Sequence, residues 1–294
     1  MALNFNRFIH IQLYGQRGTF EIRTPLTGRK PDIEVHGILM SADYAQDFEV
    51  RIRNLYSSVD LTLFNKIQVM AGYVGKAALV LDGSISIIYT EEPGPDRVTV
   101  IKCLVADAEL LLNATCNIEL PAGSTLQTVL DTITQSMNQA VVPDSTNAVK
   151  TIWKKPGIDP AITALVSNST LSWNGAVKDI MPELKARFPS VMIMIKGNQF
   201  VAFDPKSTIG TGRETPIYYL QSPPNYTAGR VILTAPWEPG LQPGDTIRLI
   251  SRQDVGTRDL STAAAPLKNL WRVISVQFDL STVGSQNKMI VTGV

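Results

Sequence analysis

Few residues in this chain could run chemistry, and their spacing argues against most of it. Histidine occurs twice, as His10 and His36. Each lies inside a stretch that reads as a strand, no Gly-x-Ser-x-Gly elbow accompanies them, and neither has an acidic partner at a telling spacing, so a Ser-His-Asp hydrolase is not indicated. Two acidic clusters, Asp43, Asp47 and Glu49, then Glu91, Glu92 and Asp96, supply the carboxylates that glycoside hydrolysis uses in pairs. Both fall in turns or on solvent faces of predicted strands, where carboxylates are common, and no Asp-x-Asp-x-Asp-Gly loop makes either a calcium site. The reading adopted is therefore catalytic residues none, metal none, cofactors none.

Other candidates reduce to structure in the same way. Gly210-Thr211-Gly212-Arg213 lacks the Lys-Ser/Thr element of a phosphate loop and reads as a connector. Trp153 with Lys154 and Lys155 could stack on and neutralise a nucleic acid, but two charges do not make a groove. Cys103 and Cys116 lie in or beside apolar segments and read as buried free thiols, too few for a disulfide framework or a four-ligand zinc site.

Composition narrows the classes further. Of 294 residues, 44% are hydrophobic, enough for two or three packed domains, and the formal net charge is +1. Basic and acidic residues are spread evenly along the chain, so no block of Lys and Arg is available to neutralise phosphates, and tight nucleic-acid binding is not expected. No run approaches the roughly 18 apolar residues of a membrane span, and the first residues do not read as a secretory signal. A soluble product made in the cytoplasm, with no membrane partner, is the expectation.

The elements that must position these side chains are mostly strands. Phe8 to Leu13, Thr19 to Ile22, Ile33 to Met40, Phe48 to Leu55, Lys66 to Tyr73, Ala77 to Ile88 and Arg97 to Leu104 are separated by Gly, Pro and Asp clusters. Alternation is clearest where Phe48, Val50 and Ile52 interleave with Glu49, Arg51 and Arg53, and again where Ile274, Val276, Phe278 and Leu280 interleave with Ser275, Gln277 and Asp279. Each run has one dry and one wet face.

Two helical stripes lie between. Leu126, Val129, Leu130, Ile133 and Met137 follow Ser124 and Gln127, which fit a capping box, and Val177, Ile180, Met181, Leu184 and Phe188 follow Asn174 as a cap, with Pro182 inside. Val191 to Ile195 and Gln199 to Phe203 read as a hairpin about Gly197 and Asn198, and Lys154 to Gly157 as exposed loop. Strands resume at Thr215 to Leu220, Arg230 to Leu233, Thr246 to Ile250, Trp271 to Leu280 and Lys288 to Thr292. The order predicts a mainly β protein with an α+β insert: residues 1–106 a first β domain, 107–205 an α+β module, 206–294 a second β domain.

Several local patterns carry a family resemblance. Arg53-Asn54-Leu55, Val69-Met70-Ala71-Gly72-Tyr73 and Leu81-Asp82-Gly83-Ser84-Ile85 resemble the first tube-like domain of baseplate hub proteins of contractile phage tails, a family related to phage late control protein D and to the hub part of type VI secretion spikes. Leu241-x-Pro243-Gly244-Asp245 and Trp271-Arg272-Val273-x-x-Val276 resemble the second tube-like domain, and Asn174 to Pro205 the middle region. The resemblance implies two tube-like β-barrel domains flanking the α+β module. It also implies a homotrimer that joins a hexameric tail tube to a trimeric spike, with other baseplate proteins around it and DNA only in transit, in the virion tail baseplate after synthesis in the bacterial host. Any lysozyme or spike extension would then be a separate protein.

Within that reading Glu49, Arg51, Arg53, Ser275, Gln277 and Asp279 are channel or ring-wall candidates. Arg252, Asp254, Arg258 and Asp259, in a long loop, are inter-ring contact candidates. Two other readings fit the same strands: a sixfold tail-tube initiator or distal tail ring protein, and a β-rich carbohydrate-degrading tail enzyme.

Overall fold

The computed structural model describes residues 7–16, 18–24, 31–40, 47–55, 60–73, 75–92, 94–105, 114–140, 153–196, 199–207, 214–218, 220–227, 229–249, 270–283 and 287–294. They are mainly β, and they divide into two compact units, one built from residues before 107 and after 212, the other from those between.

In the first unit, alternating sequence becomes strand almost wherever it was expected. The strands from the first third of the chain are β1 (Arg7–Gly15), β2 (Gly18–Arg23), β3 (Ile33–Met40), β4 (Asp47–Arg53), β5 (Phe64–Tyr73), β6 (Lys76–Glu91) and β7 (Val98–Val105). Those from the last third are β13 (Glu214–Ile217), β14 (Asn225–Thr227), β15 (Arg230–Pro236), β16 (Thr246–Leu249), β17 (Leu270–Ser281) and β18 (Lys288–Gly293). All thirteen belong to one sheet, whose main path runs β14-β15-β18-β17-β3-β4-β7-β6-β5-β1-β2, with β13 and β16 off the path. Among the described residues this path is open and closes into no barrel. The two terminal β segments, separate in the sequence, meet where β17 pairs with β3 from Ser275↔Met40 to Ser281↔Glu34.

The dry side of that seam explains why it holds. Gly37 is the register partner of both Phe48 and Phe278, whose rings meet above it with centroids 5.4 Å apart. A Cβ on Gly37 would lie 2.6 Å from the Phe48 ring and 2.9 Å from Phe278 Cζ, so only glycine leaves the rings room. Val35, Val50, Cys103, Val276 and Leu280 complete a buried surface in which each is 0–1% exposed. Nonlocal apolar packing of this kind fixes strand register, because a one-residue slip would turn the whole set to water.

β17 departs from the regular alternation read in the sequence. Val273 pairs with Gly293 and Ser275 with Thr292, so Ile274 is the extra residue of a bulge. From Val273 onward the buried set is Val273, Val276, Phe278 and Leu280, with Ile274 only half-buried. β6 is shared between two ladders: residues 76–84 pair with β5, and residues 83–91 pair with β7.

The second unit contains β8 (Thr115–Leu120), α1 (Leu126–Ala140), β9 (Lys154–Ile158), β10 (Leu171–Ala176), α2 (Val177–Arg187), β11 (Met192–Lys196) and β12 (Gln199–Phe203). β8 pairs with β10, and β11, β12 and β9 form a three-stranded sheet. Both helical stripes are buried, from Leu126 to Met137 and from Val177 to Phe188, and β11 and β12 are the expected hairpin. Three local expectations are corrected. Thr125 caps α1, its Oγ1 accepting from the Thr128 amide at 3.1 Å, while Gln127 donates to Asp131 and closes no capping box. Asn174 lies in β10, and α2 starts after Ala176 without a side-chain cap. Lys154 to Gly157, read as exposed loop, is strand β9, paired parallel to β12 with Pro156 buried; nonlocal pairing overrides the turn-like Pro-Gly there.

Candidate functional site

Turning to the wet side of the same strands, each predicted dry residue has a polar neighbour one step along the chain, and strand pairing sets these side by side. One row crosses five strands: Lys288 on β18, Asp279 on β17, His36 on β3, Glu49 on β4 and Lys102 on β7 are successive register partners. A second contains Ser281, Glu34, Arg51 and Val100. The six residues expected at a wall, Glu49, Arg51, Arg53, Ser275, Gln277 and Asp279, thus share one face, with β3 between the two sets. None of the six is fully buried.

The charges along these rows are paired. Arg51 donates from Nη1 to Glu49 Oε1 at 2.8 Å and from Nη2 to Glu91. Arg53 meets Asp32 at 3.0 Å, Glu34 at 3.8 Å and Asp96 at 3.9 Å. Asp279 binds Lys288 Nζ at 3.2 Å and His36 Nδ1 at 2.9 Å, while His36 Nε2 lies 3.7 Å from Glu34. Lys102 Nζ sits 5.8 Å from the centroid of the Tyr89 ring.

Proton affinities follow from these neighbours. The Glu49 hydrogen bond, reinforced by Glu91 against partial burial, holds the Arg51 proton more tightly than usual. For Asp279, burial alone would raise the carboxyl, but hydrogen bonds from His36 and Lys288 outweigh it and bring it below the ordinary Asp value. Asp32 moves the other way: burial, with repulsion from Glu34 and Asp96, exceeds the pull of Arg53 and pushes it up.

Charge is not uniform along the strands. Toward the other end of the face the rows read Thr234, Ile290, Gln277, Ile38 and, one step further, Ile232, Thr292 and Ser275. Ile38 and Ile232 are each 40% exposed there. One rim of the face is an ion-pair lattice, and these two rows carry no charged residue.

The remaining candidates are dispersed. His10 accepts from Arg23 Nε at 3.3 Å on the β1–β2 hairpin, remote in register from His36. Glu91 and Asp96, read as an acidic cluster, are held against Arg51 and Arg53 respectively. Trp153 is 5% exposed and stacks on Phe200 at 5.5 Å, a core residue of the second unit instead of a base platform. Cys103 and Cys116 are buried and free, and burial pushes their thiols to about 12 and about 11. No group of three or more His, Cys, Asp or Glu among the described residues is placed to hold a metal ion, and no described helix is long and apolar enough to cross a membrane. Asp43, Gly210 to Arg213 and the loop candidates Arg252, Asp254, Arg258 and Asp259 lie outside the described residues.

Sequence reasoning missed Glu34, His36, Lys102 and Lys288 as members of this face. A usable signal existed, since Glu34 and His36 alternate with Ile33 and Val35 just as Glu49 and Arg51 do with Phe48 and Val50. What alternation could not supply was which strand lies beside which.

No family model matches the chain, and no curated protein matches it in sequence. Solved structures do share its fold. A tail protein from Neisseria meningitidis MC58 aligns with a TM-score of 0.50 at 9% identity, over 97% of this chain and 96% of that one. The 43 kDa tail protein of prophage MuSo2 from Shewanella oneidensis aligns with a TM-score of 0.53 at 7% identity, over 97% and 96%. An E. coli protein, described as a component of the type VI secretion system with structural similarity to the T4 bacteriophage tail proteins gp27 and gp5, aligns with a TM-score of 0.53 at 8% identity, over 91% and 75%. At such identities the likeness is one of fold.

Proposed function

We propose that this chain is a non-enzymatic structural protein of a phage tail or related injection machine, and within it the hub: a homotrimer that joins a sixfold tail tube to a threefold spike and lines the channel between them. The observation that carries this is the order and direction of eight strands. Along β6-β7-β4-β3-β17-β18-β15-β14 every pairing is antiparallel, four strands coming from each end of the chain. Each half therefore repeats the same down-up-down-up pattern, and the seam between halves joins an up strand, β3, to a down strand, β17.

Such a sheet has a natural partner in its own copies. Among the described residues, 85–91 of β6 pair only with β7, and β14 only with β15. These two edges run in opposite directions, so a closed rotational ring sets β6 of one copy antiparallel to β14 of the next, in the same sense as the internal seam. Three chains then give six similar wall segments by strand addition, a surface that a sixfold tube and a threefold spike can both match. In this arrangement the paired charges of the wet face line the channel, and DNA or another cargo passes a wall with no basic patch. The tail-tube protein, the spike protein and other baseplate proteins are the partners, and the virion tail is the location.

The fold shared with tail proteins supports this reading over a β-rich hydrolase, whose carboxylates would have to be freed from Arg51 and Arg53. Native mass in solution, together with a ring count in electron micrographs of assembled particles, tests it. Three copies are expected. Six copies would favour a sixfold tube initiator or distal tail ring and overturn the hub.

A further inference from the structure

The wet face holds two arginines and two lysines near its charged rim, and each already has a partner. Arg51 is forked between Glu49 and Glu91, Arg53 is surrounded by Asp32, Glu34 and Asp96, Lys288 is bound by Asp279, and Lys102 stands over Tyr89. A guanidinium grips phosphate by presenting two parallel N–H donors. Arg51 has committed Nη1 to one carboxylate and Nη2 to another, and its side chain is only 28% exposed. These groups come from β4 and β6, with β7 between, so the fork is imposed by the sheet and not by a local turn.

We infer that Glu49 and Glu91 act as masks that deny Arg51 to the phosphates of nucleic acid. Asp32, Glu34 and Asp96 do the same for Arg53. Nonspecific affinity for DNA grows with each cation that displaces condensed counterions; a face carrying arginines would acquire such affinity unless their charge were already balanced by carboxylates held against them. Masking has a further use that removal of the arginines would lack: Arg51 ties β4 to β6 across β7, and Arg53 ties β4 to β3, while both stay inert toward a polyanion. The nucleic acid as passing cargo rests on the channel reading above, whereas the masks themselves lie within one chain.

The test measures binding of a labelled DNA duplex by the purified full chain. The double variant Glu49→Gln/Glu91→Gln is expected to bind about tenfold or more tightly than wild type at ~50 mM salt and to lose that gain at ~200 mM. Adding Arg51→Gln should abolish the gain. A control pair with the same change of charge on exposed residues of the other unit, Glu119→Gln/Asp179→Asn, should gain nothing. Glu91 is itself 37% exposed, so Glu91→Gln alone serves if the double variant does not fold, with a gain of about threefold. Equal affinity in wild type and mask variants, or an equal gain in the control, overturns the inference. Mass measured on the same samples separates the two ideas: three copies without a gain sinks the masks and leaves the hub, and a gain in a protein that is not trimeric does the reverse.

Discussion

The two faces of the sheet across the β3–β17 seam are built from adjacent residues of the same strands, yet they hold by different physics. On one face Phe48, Gly37 and Phe278 meet by shape, buried from solvent and with no space left for an added methyl group. On the other, one residue away in each strand, Glu49, His36 and Asp279 stand in a row of partly exposed, partly charged groups. Stability belongs to the first face, because burial is proportional to apolar area removed from water while solvent-exposed ion pairs contribute little. The second face is consequently free to be specified by what must pass or touch it.

Four measurements press on that contrast. Phe278→Ala, which empties a ring 2% exposed and packed on Phe48 and Trp237, should cost about 3–5 kcal/mol in chemical denaturation; a cost below 1 kcal/mol would mean that the dry face does not carry the seam. Cys103, register partner of Phe48 on that face, should resist alkylation at pH 8 by about a hundredfold or more relative to the unfolded chain, since burial lifts its thiol to about 12 and keeps reagent out. Rapid labelling of the native protein would show the seam opening. Gly37→Ala should cost about 1–3 kcal/mol by forcing the two rings apart, and no cost would place the rings elsewhere.

The smallest effect is expected on the wet face. Asp279→Asn should change stability by less than about 1 kcal/mol at neutral pH. Its carboxyl is lowered in the fold, so its contribution is present above the ordinary value of 3.8 and is lost as pH falls through the lowered one. Wild type and variant should therefore converge in stability on acidification below pH 4. A difference that persists unchanged into acid, or one as large as that for Phe278→Ala, would contradict the division of labour between faces.

Much of this was legible because β-strands write their environment at a period of two. Phe48 to Arg53 announced a dry set and a wet set, and both lie where alternation put them. The helical stripes of the second unit were equally plain, since Leu126 to Met137 recurs at helical spacing and all of it is buried. What stayed hidden was pairing between strands far apart in the chain. His36 and Asp279 are separated by 243 positions, and nothing local in either sequence records the other. β9 was hidden for the same reason: Lys154-Lys155-Pro156-Gly157 has the composition of a turn and becomes a strand only because β12 lies beside it. The caps failed on competition, Thr125 taking the position that Ser124 fits equally well by residue type.

The bulge at Ile274 has a consequence for how this protein can vary. Because β17 already carries one residue more than β18 opposite it, loss of Ile274 would leave Val273 and Ser275 on their present sides and the ladder in phase. Loss of Gln277, three positions on, would exchange inside for outside over part of the strand. Single-residue gaps among descendants of this chain should therefore gather at the bulge, and elsewhere along β17 deletions should survive only in pairs.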